Sequence, residues 1–391
     1  MKYRYQLILL GSIEDSIVEE IKAQIILEIT NLKLPEGILN IIDRSNWEED
    51  YVGNQPTFSI YFGDKNGDFK DLPIVDKLIK DGTMILPVYY SNFSDEIPKE
   101  LENQNGILYN DNQRCRIANV VLQAFELLRN TRKIFISYKR SESTSVAIQM
   151  YEALESHHFD VFLDTHSIEK GEPFQEELWH RMTDCDVILL LNTPGFLESH
   201  WCKEELAEAG SKQIGIVQLV WPNHKIDAIS HLSFPLKLEE VDFVDTIYDD
   251  KDKSKLKKGK VEEIVQLVES VRARNLASRQ DNLITEFMNI AKQCGRNITV
   301  QPERYLTEVI SDKQIIYIPT IGVPQSFNCQ AAEIQYRYNE NPQHTCIRLI
   351  YDDLRIRDKC LKHLDWLNGN FKKDILTLKK QDFKKWLETT I

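Results

Sequence analysis

Short apolar segments typical of β-strands alternate with amphipathic segments of helical period along the chain. Over the first 130 residues the pattern predicts strands at Tyr5–Leu10, Thr57–Phe62 and Thr83–Tyr89 and helices at Asp15–Ile29 and Gln113–Leu128. Strands that alternate with helices favour a parallel sheet covered by helices on both faces. Residues 1–130 are therefore predicted to form one α/β module.

The same alternation begins again after residue 130. The predicted strands are Lys133–Tyr138, Asp160–Leu163, Val187–Leu191 and Ile214–Trp221, and the predicted helices are Thr144–Ser156, Phe174–Thr183 and Trp201–Lys212. This pattern predicts a second α/β module over residues 131–280.

A third module is predicted over residues 281–391. The charged run Asp249–Lys260 has almost no apolar content and is interpreted as a solvated loop at a joint. Helical periodicity from Val261 to Cys294 indicates one long helix or two helices that meet near Ser278. The predicted strands after it are Ile298–Gln301, Gln314–Ile318, Thr345–Tyr351 and Asp374–Leu378.

Composition and charge narrow the classes of partner. The chain has 391 residues and a formal net charge of −13, so phosphate backbones and anionic membrane surfaces are disfavoured. No apolar run approaches the roughly 20 residues that span a bilayer. The apolar stretch near residue 1 is short and is soon followed by acidic residues, which does not fit a signal peptide. We therefore expect a cytoplasmic protein that binds neither nucleic acid nor membrane.

Several common chemistries lack their sequence signals. No GxGxxG follows a strand and no GxxxxGK[ST] occurs, so neither a dinucleotide redox cofactor nor a P-loop is indicated. His157 and His158 have no third ligand at metal spacing, so no metal site is predicted.

Chemistry-bearing residues are concentrated in the second module, where predicted strands end. Tyr138, Lys139 and Arg140 follow the first of these strands, and Asp164 follows the second. The carboxyl ends of parallel strands are where such sheets bind ligands. The segment WCKEEL places Trp201 and Glu205 four residues apart, on one face of a predicted helix.

Four motifs in this order resemble the Toll/interleukin-1 receptor (TIR) domain family. They are FISY, then VFLD with Ile168 and Gly171 behind it, then VILLL, then SHWCKEEL. The resemblance implies a flavodoxin-like central domain, flanked here by two further α/β modules. Some family members only assemble signalling complexes, whereas others cleave NAD+ and carry a glutamate four residues after a tryptophan-like position, which here is Glu205.

The resemblance therefore favours an NAD+ glycohydrolase that releases nicotinamide and ADP-ribose or a cyclic ADP-ribose, with NAD+ as substrate and no cofactor. Glu205 would stabilise the oxocarbenium-like ribose. Trp201 would wall the pocket. Tyr138, Lys139, Arg140 and Asp164 would contact substrate, with the two cations near the pyrophosphate.

Each assignment has a plainer alternative. Glu205 is otherwise a solvated helix glutamate like Glu204, and Trp201 a core residue. Lys139 and Arg140 are otherwise surface cations, and Asp164 a strand-end cap. In the alternative function, the domain is a non-catalytic scaffold that recruits signalling partners.

Assembly and regulation follow from the same resemblance. The loop that contains Ile168 and Gly171 is expected to join protomers into a homo-oligomer, and the chain resembles bacterial antiphage effectors. The first module is then regulatory, or TIR-like without a catalytic motif, and the third serves as a sensor or in oligomerisation. The sequence indicates neither the activating trigger nor its partner protein.

Overall fold

The structure is a computed structural model. It describes residues 5–13, 16–32, 34–35, 37–53, 55–110, 113–125, 127–128, 132–163, 180–196, 214–224, 233–301, 303–311, 313–330, 345–354, 356–370 and 374–389. The chain divides into two compact units, residues 1–130 and residues 131–391.

The first unit is a parallel sheet with helices. Its strands are β1 Tyr5–Gly11, β2 Leu39–Ile42, β3 Thr57–Phe62, β4 Met84–Tyr89 and β5 Ile107–Leu108. Its helices are α1 Ser16–Asn31, α2 Trp47–Asp50, α3 Leu72–Lys80, α4 Phe93–Glu96 and α5 Arg114–Ala124. All neighbouring strands pair in parallel, in the order β2-β1-β3-β4-β5.

The second unit begins with another parallel sheet. Its strands are β6 Lys133–Ser137, β7 Asp160–Leu163, β8 Val187–Asn192, β9 Gly215–Val220 and β10 Ser233–Lys237, in the order β10-β9-β8-β6-β7. Helix α6 spans Arg140–Ser156 and helix α7 spans Lys258–Gln293. Numbered from β6, the strand order is 2-1-3-4-5, which is the flavodoxin-like order and equals that of the first unit. The predicted α/β class with parallel sheets is confirmed.

A mixed sheet completes the second unit. Its strands are β11 Thr299–Val300, β12 Leu306–Ile310, β13 Lys313–Thr320, β14 Thr345–Tyr351 and β15 Ile375–Lys379, in that spatial order. Helices α8 Asp358–Asn370 and α9 Phe383–Thr389 follow β14 and β15. The first two pairings are antiparallel, and the pairings of β14 with β13 and β15 are parallel.

Helix α7 is shared by two hydrophobic cores. Its first half packs Ile264 and Val268 against the sheet of β6 to β10, and its second half packs Leu283 and Phe287 against the mixed sheet. Of the two alternatives for this region, the single helix is the one observed, and it continues through Ser278. Because both cores use one helix, residues 131–391 form one unit.

Two predictions about local structure are wrong. Helix α6 begins at Arg140 and not at Thr144, with a kink at Ser143. The charged run is not a solvated loop throughout, because Leu256 is buried and both of its backbone polar groups bond to the side-chain amide of Gln149 on α6. The last residues of the run form the first turn of α7.

None of the described helices combines the length and the apolar character that crossing a bilayer requires.

Candidate functional site

The strand order identifies where a ligand would bind in the sheet of β6 to β10. In flavodoxin-like sheets ligands bind at the carboxyl ends of the first and third strands, where the order of connection reverses. These strands are β6 and β8, which pair in parallel from Ile134 and Val187 to Ser137 and Leu190. The candidate site is therefore built from the residues that follow Ser137 and Leu190.

An ion pair and a hydrogen bond connect the residues that follow β6 and β8 at this edge of the sheet. The Lys139 ammonium lies 2.6 Å from the Glu142 carboxylate, and the other oxygen of Glu142 accepts a hydrogen bond of 3.0 Å from the backbone N–H of Gly195. Lys139 precedes α6, Glu142 lies in its first turn, and Gly195 follows β8. The contact therefore joins the ends of β6 and β8.

Glycine at position 195 leaves room for this contact in the observed arrangement of the two side chains. A Cβ atom there would overlap the Lys139 Nζ and a Glu142 carboxylate oxygen. Burial by itself raises the pKa of Glu142, but the hydrogen bonds from Lys139 and Gly195 outweigh it, so the pKa lies below its usual value. Glu142 is thus ionised near neutral pH.

Asn192 is the second notable residue of this edge. Its side chain is fully buried, and neither its amide nitrogen nor its amide oxygen has a hydrogen-bond partner. Its backbone oxygen accepts a hydrogen bond of 3.1 Å from the N–H of Trp221. Residues two apart on a strand share a face, so Asn192 lies on the same face as Ile188 and Leu190. A buried amide without partners costs about 1–3 kcal/mol.

The other described residues predicted to contact substrate lie in different surroundings. Tyr138 is 5% exposed and packs in the hydrophobic core with Val146 and Met150 of α6. Arg140 is exposed at the first residue of α6. Lys139 is one of the two predicted substrate cations, and the structure adds that Glu142 partly neutralises it.

The remaining predicted site residues lie outside the described residues. They are Asp164, Ile168, Gly171, Trp201 and Glu205. The structure therefore brings together Lys139 and the ends of β6 and β8, and the roles of all eight predicted site residues stay predictions.

Sequence reasoning missed Glu142, Asn192 and Gly195. The signal for Glu142 was weak, because the predicted helix began at Thr144 and a carboxylate just before a helix is ordinarily a solvated N-terminal residue. The signal for Asn192 was weaker, because a polar residue at the end of an apolar strand is ordinarily a solvated turn residue. Gly195 had no signal apart from the preceding Pro194.

At the amino-terminal ends of β6 and β8, buried ion pairs hold this sheet against α7. Arg272 Nε lies 3.1 Å from Asp186 Oδ2, and both side chains are fully buried. A second pair joins Arg132 and Glu269. Arg279 donates hydrogen bonds to two backbone carbonyls just before β8. These contacts set the position of β8, and therefore of Asn192 at its other end.

Metal ligation has no support in the described part of the chain, where no group of three or more histidine, cysteine or acidic side chains is arranged to hold an ion.

Comparison with known proteins identifies the domain. Residues 134–258 match the model of the TIR domain family, which covers β6 to β10 and the start of α7. This region of the chain is a TIR domain with a flavodoxin-like sheet. Among curated proteins, none matches the chain.

Two solved structures resemble the chain weakly. One is assigned as a LacI transcriptional regulator from Bacteroides fragilis, with 14% identity, 56% of this chain and 77% of that chain covered, and a TM-score of 0.18. The other is tagatose-6-phosphate ketose/aldose isomerase from Escherichia coli, with 11% identity, 71% and 81% covered, and a TM-score of 0.20. Similarity at this level carries no argument about function.

Proposed function

We propose that the TIR domain cleaves the bond between nicotinamide and ribose in NAD+, with Glu205 as the catalytic carboxylate. The observation that carries the proposal is the segment WCKEEL within a region that matches the TIR family. In the family resemblance, a glutamate four residues after a tryptophan marks the members that cleave NAD+.

The reaction asks little of the protein. Nicotinamide in NAD+ is a cationic leaving group, and its departure leaves positive charge on the ribose. A carboxylate placed beside that sugar stabilises the developing charge and binds the ribose hydroxyls. Water then attacks the sugar to give ADP-ribose, or an atom of the same molecule attacks to give a cyclic product.

The described edge supplies groups that suit such a substrate. Arg140 lies in the turn that precedes the kink of α6 at Ser143, directly after Lys139, and a guanidinium forms charge-assisted hydrogen bonds with phosphate groups. Arg140 together with Lys139 would therefore hold the pyrophosphate. Asn192 has an unused donor and an unused acceptor, which is the complement of the nicotinamide carboxamide.

Assembly belongs to the same proposal. We expect the loop that contains Ile168 and Gly171 to join TIR domains of neighbouring protomers and to complete the active site. Residues 1–130 and the mixed-sheet part of the second unit would then control assembly in response to a trigger. In this account the chain acts as an antiphage effector that consumes NAD+.

Incubation of the purified full chain with NAD+ tests the proposal. Chromatography should show nicotinamide accumulating with a matching amount of ADP-ribose or its cyclic form. The specific rate should rise with protein concentration, because the site is completed by assembly. A folded protein that assembles but releases no nicotinamide at any concentration would instead support the scaffold alternative.

A further inference from the structure

A second cleft lies at the carboxyl ends of the parallel strands of the mixed sheet. Its cavity volume is about 160 Å³. Gly322 follows β13, Asp352 follows β14 and Lys380 follows β15, and all three line the cleft. Its opposite wall is the second half of α7, which includes Glu286. The carboxyl ends of parallel strands can carry ligand sites. Strands β13, β14 and β15 follow one another without a reversal of connection, so the assignment rests on the residues that line the cleft.

The two cationic side chains that line this cleft, Lys380 and Arg279, already have partners within the protein. Lys380 Nζ lies 2.6 Å from Glu286 and 3.8 Å from Asp352. Burial by itself lowers the pKa of Lys380, but the hydrogen bond to Glu286 and the charge of Asp352 outweigh it and keep the amine protonated. Arg279 donates to the carbonyls of Thr183 and Cys185 at 2.9 and 2.8 Å.

The carboxylates keep unused acceptor capacity. The side chain of Glu286 is 47% exposed and presents a second oxygen besides its contact with Lys380. The side chain of Asp352 is 43% exposed, and its Oδ1 accepts a hydrogen bond of 3.0 Å from the N–H of Leu354 and keeps one further lone pair. A carboxylate oxygen accepts hydrogen bonds from hydroxyl groups readily and repels a phosphate. This edge therefore favours an uncharged ligand that donates hydrogen bonds.

The buried hydroxyl of Thr183 is a second observation that points to a ligand, and it is independent of the carboxylates. Thr183 lines the cleft, is 3% exposed, and its Oγ1 has no hydrogen-bond partner. A buried hydroxyl left in this state costs about 1–3 kcal/mol, which a ligand hydroxyl would recover. Leu283 and Ile321 add an apolar wall that suits the face of a sugar ring or a base.

We propose that this cleft binds an uncharged small molecule with vicinal hydroxyls on a furanose or pyranose ring, such as a nucleoside or a free sugar. Asp352 and Glu286 accept hydrogen bonds from the ring hydroxyls, and the Thr183 hydroxyl forms a hydrogen bond with a further polar group of the ligand. The proposal is independent of NAD+ cleavage by Glu205.

The site lies where the TIR domain meets the mixed sheet. Thr183 belongs to the segment that leads into β8, and the neighbouring Asp184 accepts a hydrogen bond of 2.9 Å from the N–H of Val323 in the loop after β13. A ligand in the cleft therefore contacts both parts of the second unit at once.

Calorimetric titration of the full chain tests the site. The probes are adenosine and glucose as neutral compounds, and adenosine 5′-phosphate as the charged counterpart of adenosine. At least one of the two neutral probes should bind. If adenosine binds, adenosine 5′-phosphate should bind about tenfold or more weakly than adenosine, because the carboxylates repel its phosphate group. Absence of binding by both neutral probes at millimolar concentration would overturn the proposal, as would equal binding of adenosine and its phosphate.

Variants distinguish this cleft from the TIR site. Asp352→Asn and Thr183→Val keep side-chain size and should each weaken binding about fivefold or more, whereas Asp358→Asn at the start of α8 should not. Binding should persist in Glu205→Gln, because that residue belongs to the other site. Loss in Glu205→Gln, or wild-type affinity in both cleft variants, would contradict the assignment.

Discussion

Replacement of Asn192 by leucine should move stability and activity in opposite directions. Leucine has the same number of side-chain non-hydrogen atoms as asparagine and suits the apolar face that Asn192 shares with Ile188 and Leu190. The change removes an amide whose donor and acceptor are both buried without partners. The backbone hydrogen bond from Trp221 is unaffected by the substitution.

The expected gain in stability follows from that unsatisfied amide. Relief of a buried unpaired polar group contributes about 1–3 kcal/mol, and burial of an apolar side chain in its place adds to it. For a unit of this size, 1 kcal/mol corresponds to roughly 2–4 °C in Tm. We therefore expect Tm to rise by about 2–12 °C.

The assay is thermal unfolding followed by tryptophan fluorescence, together with the rate of nicotinamide release. Five of the six tryptophans lie after residue 130, so the signal reports mainly on the second unit. If Asn192 binds the carboxamide, kcat/KM should fall by about tenfold or more.

A neighbouring amide provides the matched control. Gln218 on β9 is also buried, but its side-chain oxygen accepts a hydrogen bond of 2.9 Å from the Ser233 hydroxyl. Gln218→Leu should therefore destabilise the unit by about 1 kcal/mol. If Asn192→Leu lowers Tm as Gln218→Leu does, or leaves kcat/KM unchanged, the argument about Asn192 is wrong.

Three further predictions concern the ion pairs and the assembly loop. Arg272→Met should destabilise the second unit by about 3–5 kcal/mol in urea unfolding, because the buried Asp186 carboxylate loses the guanidinium that neutralises it; a loss below 1 kcal/mol would refute this. Gly171→Pro should reduce activity and association together, since proline fixes φ and removes a donor; full activity in a strictly monomeric sample would show that the site is not composite. The lowered pKa of Glu142 means that its contacts stabilise the fold above the unfolded pKa near 4.5 and are lost as pH falls through the folded value. Glu142→Gln should therefore make the free energy of unfolding depend less steeply on pH under acidic conditions. The same pH dependence as in the wild type would argue against this role.

The alternation of strands and helices predicted the class of fold because parallel sheets need helical connections. It did not predict that one helix serves two cores, since the apolar period of α7 is the same whichever sheet it faces. Strand β10 was missed because Pro235 interrupts its pattern; as the edge strand of its sheet it tolerates a proline.

The site was predictable only where a local motif carries the chemistry. Lys139 and Arg140 were found because they follow a recognisable strand. Asn192 and Gly195 depend on what lies beside them in space, namely an amide with no partner and a carboxylate that leaves no room for a Cβ. No pattern along the chain encodes these relations.

The most direct measurement compares Glu205→Gln with Glu204→Gln in the full chain, at a concentration where the wild type turns over NAD+. On the helix predicted from the sequence, neighbouring residues point about 100° apart, so we expect only one of the two to face the substrate. With both variants shown to be folded by circular dichroism, Glu205→Gln should lower nicotinamide release by about 10²-fold or more and Glu204→Gln by less than about threefold. Wild-type turnover in folded Glu205→Gln would contradict the central claim.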